Sequence, residues 1–467
     1  MSISTPLKVG GIDVGSSSIK WAVYEAETLT EMASGRERYP AGIFNRDSVD
    51  VQKIFRLFRK YVHLLRSKGV SRIGLSCMAP VMILTGRHWE TYSSFPYNTL
   101  IGSDHFTELV DFRFMEKTGN PLNVQMFPQK IRWMKKHSDH LLEKAVYITD
   151  LNGYLFSRLT SREGVKPVED VSSALEWGLF DIRSRAWWND IIDYLKIEDK
   201  LPELVTPEYA SEYGGVDISI GTVDTLVSAL GSVGVSKKNA FAINGTTLCA
   251  GFVTNKQVRS QGLYNDIYFD GNYLVNGCNS QYSSIIDWAE RLLDVKIDVN
   301  RVDISRKAPV FLPYLLGERC PLFSTSIRGG FFELDADTGK SDLVRSVVCS
   351  LAYLGADMME SLAAASEGKL KRVVAGGSLT KKNLATVISS LTGMEYEMLD
   401  YDPTTLGAVL IAMKAGGCIG RYPAGISRAG RNAKMIFSPT EPHKEQIAAY
   451  EKFRKLRDML IHANSHD

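Results

Sequence analysis

The chain opens on two short apolar runs, residues 7–14 (LKVGGIDV) and 19–24 (IKWAVY), separated by the small polar stretch GSSS. Runs of this length on either side of a Gly/Ser turn predict a β-hairpin. The stretch VQKIFRLFRKYVHLLRSKG then places Ile54, Phe58, Tyr61 and Leu65 on one stripe at helical spacing, and VSRIGLS returns as a strand. The second half repeats this plan. NAFAINGTTLCAGFV, residues 239–253, again reads as two apolar strands around a Gly/Thr turn. It is followed by a strand at LKRVVAGG, a helix from about Thr380, a strand at EYEMLD and a long helix from Pro403. When the two hairpins are superimposed, Asn244 stands where Asp13 does, as an old duplication would leave it; strand–Gly–strand is also the commonest hairpin pattern. Between them, IGTVDTLVSALGSVGV predicts a buried helix with Val223, Leu226, Val227 and Leu230 on its apolar stripe. Asp224 lies off that stripe, close to the helix start.

With 467 residues the chain exceeds the usual single-core limit, so two domains of about 200 residues each are expected. The expected boundary puts residues 1–235 in one domain and 236–467 in the other. A net charge of +2, with 44% hydrophobic and 23% charged residues, is that of an ordinary globular protein, and nothing in it asks for nucleic acid. The six cysteines are far apart and form no CxxC pair, which predicts reduced, buried thiols in a cytoplasm. No basic-then-apolar leader opens the chain and no uninterrupted apolar run of about 18 residues occurs, so a cytosolic protein is expected, not a secreted or membrane-spanning one.

Four stretches can carry chemistry. In the opening hairpin, Gly15, Ser16, Ser17 and Ser18 let backbone N–H groups and hydroxyls converge on an anion; Asp13 offers oxygen to a hydrated magnesium ion and Lys20 adds a positive charge. No helix follows this turn, so it is not a P-loop, and the same residues also suit a plain tight turn capped by an aspartate. Gly245 and Thr246 form a second such turn, and two turns facing each other across a cleft suit a chain of phosphates. Asp224, near a helix N-terminus, is expected to stay ionised in the field of the helix dipole and to accept a proton from a substrate hydroxyl. First-turn acidic residues also serve the dipole alone. VVAGGSLTKKN brings Gly376 and Gly377 to a strand end before a helix, a seat for a flat adenosine to which Thr380 and Asn383 can hydrogen-bond. The His137 and His140 pair, with no third ligand nearby, and the short basic run KFRKLR read as solvated helix faces.

These residues resemble the FGGY carbohydrate kinases of the actin-like ATPase superfamily. GIDVGSSSIK is similar to the family's first phosphate motif and INGTT to its second. TGNPL and ITDLNGYLFSRLTS resemble the N-terminal lobe, EDVSSALEWGLFDIRSRAWW the segment before the substrate helix, and VDTLVSALG the stretch with the catalytic aspartate. PYLLGERCPLFSTSIRGGFFEL is the most specific match, with AGGSLTKKN and TTLGAVLIAM similar to the adenosine site and closing helix. The resemblance implies an α/β fold of two ribonuclease-H-like lobes around an interdomain cleft, and transfer of the ATP γ-phosphoryl group to a sugar or polyol hydroxyl. By position, it implies Asp224 as general base and Asp13 at the magnesium site. Gly15, Ser16, Ser17 and Lys20 fall in the first phosphate loop, Gly245 and Thr246 in the second, and Gly376, Gly377 and Thr380 at the adenosine. Dimers are common among such relatives, so a homodimer is expected.

The acceptor side departs from the family. Where xylulokinases carry a histidine after the third strand and glycerol kinases an arginine, this chain has Met78 and Ala79 in CMAPV. The sugar-contacting Asp-x-Arg motif falls on SDHF, retaining Asp104 but placing Phe106 at the arginine. Glu333 and Cys349 stand where a glycine and an acidic residue are usual, which reads as packing variation. These departures leave open a silent sugar- or nucleotide-binding sensor of the same fold, against which the retention of Asp13, Asp224 and both phosphate turns argues.

Overall fold

The computed structural model describes residues 6–161, 165–260, 262–324, 326–426 and 435–464. The chain divides into two compact units. The first comprises Met1–Val235, Asp266–Tyr273 and Pro403–Arg431, and the second Ser236–Asn265, Leu274–Asp402 and Asn432–Asp467. Two later segments thus join residues 1–235 in the first unit.

The first unit is built on β1 (Lys8–Val14), β2 (Ser18–Glu25), β3 (Glu31–Arg38), β4 (Arg72–Cys77), β5 (Ala210–Tyr213) and β6 (Val216–Val223). Its sheet order is β5-β6-β4-β1-β2-β3. β1 pairs antiparallel with β2, and β4 runs parallel to both β1 and β6. Helix α1 (Val51–Ser67) buries Ile54, Phe58, Tyr61 and Leu65 as its spacing predicts, and the Asp50 side chain caps its N-terminus by accepting from the Lys53 amide at 2.9 Å. Among the helices that follow are α2 (Val171–Glu176) and α3 (Asp224–Val233).

The helix Pro403–Ala415 joins this unit because it is apolar on every side. Pro403 to Met413 are all buried, and the helix packs on β1, β4 and α3. Glycine makes the approach possible: a Cβ on Gly74 of β4 would lie 1.9 Å from the Ala408 carbonyl oxygen.

The sheet of the second unit is made of β7 (Asn239–Asn244), β8 (Leu248–Thr254), β9 (Tyr264–Ile267), β10 (Tyr273–Cys278), β11 (Arg372–Gly376), β12 (Glu395–Met398) and β13 (Met435–Phe437), in the order β9-β10-β8-β7-β11-β12-β13; the end of β9 and Tyr273 count with the first unit. The antiparallel hairpin β7–β8, the parallel strands β11 and β12 and the antiparallel edge β13 follow the same order as β1–β2, β4, β6 and β5. The two hairpins therefore occupy equivalent places in two similarly wound sheets. Helix α4 (Lys340–Ala365) is long and apolar enough to cross a membrane, yet most of that stretch is buried against this unit's core.

The expectation of six reduced thiols is corrected: Cys249 and Cys278 form a disulfide. They lie 29 residues apart but on neighbouring strands β8 and β10, a proximity only the sheet creates. Cys77, Cys320 and Cys349 are free and buried, and Cys418 is free and exposed.

Candidate active site

The chemistry-bearing residues of the first unit collect at the carboxyl ends of its parallel strands, where open α/β sheets place their ligands. Asp13 is the penultimate residue of β1 and only 4% exposed. Its Oδ1 accepts a hydrogen bond from the Ser76 hydroxyl at 3.0 Å, from the register partner on β4. Its Oδ2 lies 3.2 Å from the Lys20 ammonium, the register partner on β2. Between them the turn is closed by the Gly15 amide donating to the Ser18 carbonyl at 3.1 Å, which leaves Ser16 and Ser17 exposed. A single buried carboxylate next to a Gly/Ser turn fits a hydrated divalent ion that takes its other ligands from a bound anion and water.

β4 and β6 end together at the Cys77–Val223 pair, and the next residues are Met78 and Asp224. Asp224 opens α3 and is half-buried. Its carboxyl is pushed up to about 7, first by burial and next by the Asp13 carboxylate, while Thr225 and Lys20 pull the other way. The expectation that the helix dipole keeps Asp224 firmly ionised is thereby corrected, since burial and a like charge outweigh it. The result is a carboxyl poised to change protonation near neutral pH.

A further acidic group stands nearby. Glu176 ends α2, whose N-terminus is capped by the Asp170 carboxylate accepting from the Ser172 and Ser173 amides at 3.0 and 3.1 Å. The Ser172 hydroxyl, one turn before Glu176, donates to the Ile267 carbonyl at 3.0 Å and anchors that face of the helix beside Asp266. Burial, followed by the charges of Asp266, Asp150 and Asp224, holds the half-buried Glu176 carboxyl well above the usual range. Sequence reasoning missed this residue, because α2 and α3 are distant in the chain and Glu176 carries no local signal of its own.

Met78 is buried and Ala79 half-buried, so the wall beyond β4 is apolar. Asp104 is not drawn into this group. It lies on the 3-10 helix Ser103–Phe112, its side chain is 65% exposed, and its ionic neighbour is His105 at 3.8 Å.

The second unit holds the other half of the candidate residues. The Gly245 amide donates to the Thr247 carbonyl at 3.0 Å, closing a turn with Thr246 exposed at its tip. The turn is pinned from below by amides of Tyr282 and Ser283, which donate to the carbonyls of Thr246 and Gly245 at 2.7 and 3.1 Å. Asn244, the counterpart of Asp13, carries no charge; its amide donates to the Thr380 and Tyr396 hydroxyls at 3.1 and 2.9 Å and ties β7 to the loop after β11 and to β12.

That loop begins at the buried Gly376 and the exposed Gly377, where φ is +101° and a Cβ would meet the Asn244 carbonyl oxygen at 2.6 Å. Only glycine meets both demands without strain. Thr380 donates to the Gly376 carbonyl at 2.7 Å, and Asn383 accepts from the Leu384 amide at 2.9 Å. These side chains shape the loop, and what it presents outward is glycine backbone. Among the described residues no group of three or more His, Cys, Asp or Glu side chains could hold a metal unaided.

Two mixed-sheet α/β units of this winding, each with a Gly/hydroxyl turn, have the fold of the FGGY kinases. The chain belongs to the FGGY family of carbohydrate kinases: the family's N-terminal domain matches residues 104–231 and its C-terminal domain residues 240–416. It is an ATP-dependent carbohydrate kinase of that family. A glycerol kinase from Saccharolobus islandicus is 23% identical over 414 residues, covering 80% of each chain. The crystal structure of a gluconate kinase from Lactobacillus acidophilus superimposes with a TM-score of 0.85 at 19% identity, covering 98% of this chain and 99% of that one. A ligand-bound xylulose kinase from the same organism gives 0.84 at 19% identity, covering 97% and 98%.

Proposed function

We propose that the chain transfers the γ-phosphoryl group of ATP to a hydroxyl of a neutral sugar or polyol, with Asp224 as the general base. The observation that carries this reading is the Asp224 carboxyl, half-buried at a strand end and raised to about 7 beside Asp13, as a base operating at neutral pH requires. Asp224 takes the acceptor proton as its oxygen attacks. Lys20 and the turn at Gly15, Ser16 and Ser17 are the phosphate-binding groups of the first unit, and Gly245 and Thr246 are those of the second. Gly376, Gly377 and the loop held by Thr380 receive the adenosine. Asp13 would hold a magnesium ion, which would supply neutralisation of the phosphate charge. Little covalent work falls to the protein in such a transfer, and alignment supplies most of the acceleration.

Relatives named for glycerol, gluconate and xylulose span a triol, a sugar acid and a ketose. The carboxylates of Asp13 and Asp224 and an apolar wall at Met78 and Ala79 favour a neutral acceptor over a sugar acid, whose carboxylate meets like charge there. Asp104 is left to a peripheral contact at most, given its exposure. ATP as donor suits a cytoplasmic setting.

The test is ADP release by the purified chain with glycerol, D-xylulose, ribitol and D-gluconate. Asp224→Ala is expected to keep ATP binding and to lose transfer by about 10²–10⁴-fold. Near-normal turnover in that variant removes Asp224 from the base role, and ATP turnover indifferent to every acceptor removes the kinase reading.

A further inference from the structure

The Cys249–Cys278 disulfide stands at the foot of the second Gly/Thr turn. Cys249 is the second residue of β8, and its Sγ lies 3.7 Å from the hydroxyl of Thr247, the last residue of the turn. Cys278 ends β10, and the residues directly after it are the ones that fix the turn. The Asn279 side-chain carbonyl accepts from the Leu248 amide at 2.8 Å, and the Asn279 amide donates to the Leu248 carbonyl at 3.0 Å. Tyr282 and Ser283 then donate their amides to the Thr246 and Gly245 carbonyls at 2.7 and 3.1 Å. The disulfide therefore ties the strand that leaves the turn to the segment that supports it.

Both cysteines are partly exposed, whereas Cys77, Cys320 and Cys349 are buried. In a cytoplasmic setting, which ATP as donor suits, thiols are kept reduced and the disulfides that form serve exchange or sensing. A third cysteine adjoins the pair, since the Cys320 amide donates to the Cys278 carbonyl at 3.2 Å. Cys320 is fully buried and burial pushes its thiol up to about 12, so it supplies no thiolate to attack the bond. The pair is thus open to a thiol from solution and shielded from its neighbour within the chain.

We propose that Cys249–Cys278 is a site of reversible thiol–disulfide exchange, whose oxidised form holds the second turn in shape for ATP and whose reduced form loosens it. The inference rests on the reading of Gly245 and Thr246 as phosphate-binding groups and adds a modification site to them. The co-reactant is a dithiol. One of its thiolates attacks a sulfur of the pair, forming a mixed disulfide and expelling the other cysteine as a thiolate, which takes up a proton. The second thiolate of the dithiol then displaces the bound cysteine, which takes up a proton in turn. Two electrons pass to the protein, two cysteine thiols result, and the dithiol leaves as its disulfide; that oxidised form reverses the reaction. The hydrogen bonds from Asn279, Tyr282 and Ser283 persist after reduction and β8 stays beside β10 in the sheet, so the turn gains freedom without losing its fold.

The experiment places the full-length chain in reduced or in oxidised dithiothreitol and counts its thiols in each state by alkylation and mass spectrometry. Amide hydrogen exchange over residues 244–249, the dissociation constant of ATP by calorimetry, and kcat and the acceptor KM are then compared, alongside the double variant Cys249→Ser with Cys278→Ser. Reduction is expected to add two thiols, to speed amide exchange in the turn and to weaken ATP about three- to tenfold, the effect of about one hydrogen bond to phosphate. The acceptor KM is expected to stay within about twofold, and the double variant to match the reduced chain in both buffers. An equal thiol count in the two states overturns the proposal, as does unchanged amide exchange in the turn or a double variant that still responds to dithiothreitol. A fall in kcat with ATP and acceptor weakened together assigns the bond a general structural role and overturns it as well. Faster amide exchange with unmoved ATP affinity removes Gly245 and Thr246 from phosphate binding, and the inference falls with that reading.

Discussion

Lys20 and Asp13 face each other across the opening hairpin, ammonium to carboxylate at 3.2 Å, as cross-strand partners in register. The pair sets the charge felt by Asp224, which Asp13 pushes up and Lys20 pulls down.

Removing the lysine charge therefore has a defined sign. In Lys20→Met, Asp224 loses a stabilising cation and its carboxyl rises above the present value of about 7. A base must be deprotonated to act, so the acid limb of kcat/KM moves to higher pH, by roughly half a unit to one unit, and turnover at pH 6.5 falls more than turnover at pH 8.5. A pH–rate profile checks this; an acid limb displaced to lower pH contradicts it.

Asp224 trades stability for function. Its carboxyl stands at about 7 in the fold against 3.8 for the free side chain, so the stabilising protonated state is fully present below about pH 4 and lost as pH rises through 7. Asp224→Asn keeps the shape and never carries the charge. The variant is expected to match the unaltered chain near pH 4 and to become more stable, on the order of 1–3 kcal/mol, by pH 8, while losing transfer activity. Urea melts at the two pH values measure the difference.

Gly74→Ala tests the contact that brings the helix Pro403–Ala415 into the first unit. The added methyl meets the Ala408 carbonyl oxygen at 1.9 Å, and neither backbone can yield without shifting the helix. A loss of about 2–4 kcal/mol is expected, with lower activity, because α3 and its Asp224 pack on the same helix. Gly420→Ala, where a Cβ meets nothing within 4 Å, serves as the control and stays within about 0.5 kcal/mol.

Glu333 was expected to be harmless packing variation, and its backbone shows otherwise. Its φ is +60°, the left-handed region that side chains avoid, which explains why a glycine is usual at this place. Its carboxylate holds Lys452 at 2.8 Å, but both side chains are nearly half exposed and such a pair contributes little. Glu333→Gly is expected to stabilise the chain by about 1 kcal/mol with unchanged kinetics, read as a rise in melting temperature.

Much of the architecture was legible in the pattern of apolar positions. The two hairpins, α1 and the strand after it, and the helix beginning at Asp224 all lie where period-2 and period-3.6 spacing put them, because each buries its apolar face locally. The similarity between GIDVGSSSIKWAV and AINGTTLCAGFV also has a structural counterpart, since both hairpins open sheets wound in the same order. Glu176 and the Cys249–Cys278 disulfide left no such trace. Each owes its position to a partner on another element: Ile267 anchors the face of α2 that ends at Glu176, and neighbouring strands bring the two cysteines together.

The sequence by itself determined which residues could carry charge and which backbones could turn tightly, and so it named Asp13, Lys20 and Asp224. The tertiary structure decided what state those groups are in. Asp224 reads from sequence as a dipole-stabilised anion, yet in the fold it titrates near 7, because desolvation and a neighbouring carboxylate are sums over space that no local spacing records. The same reason separates Asn244 from Asp13. The two occupy matching hairpins, but the Asn244 amide donates to Thr380 and Tyr396, whereas the Asp13 carboxylate accepts from Ser76 and faces Lys20, and these partners are supplied by the fold.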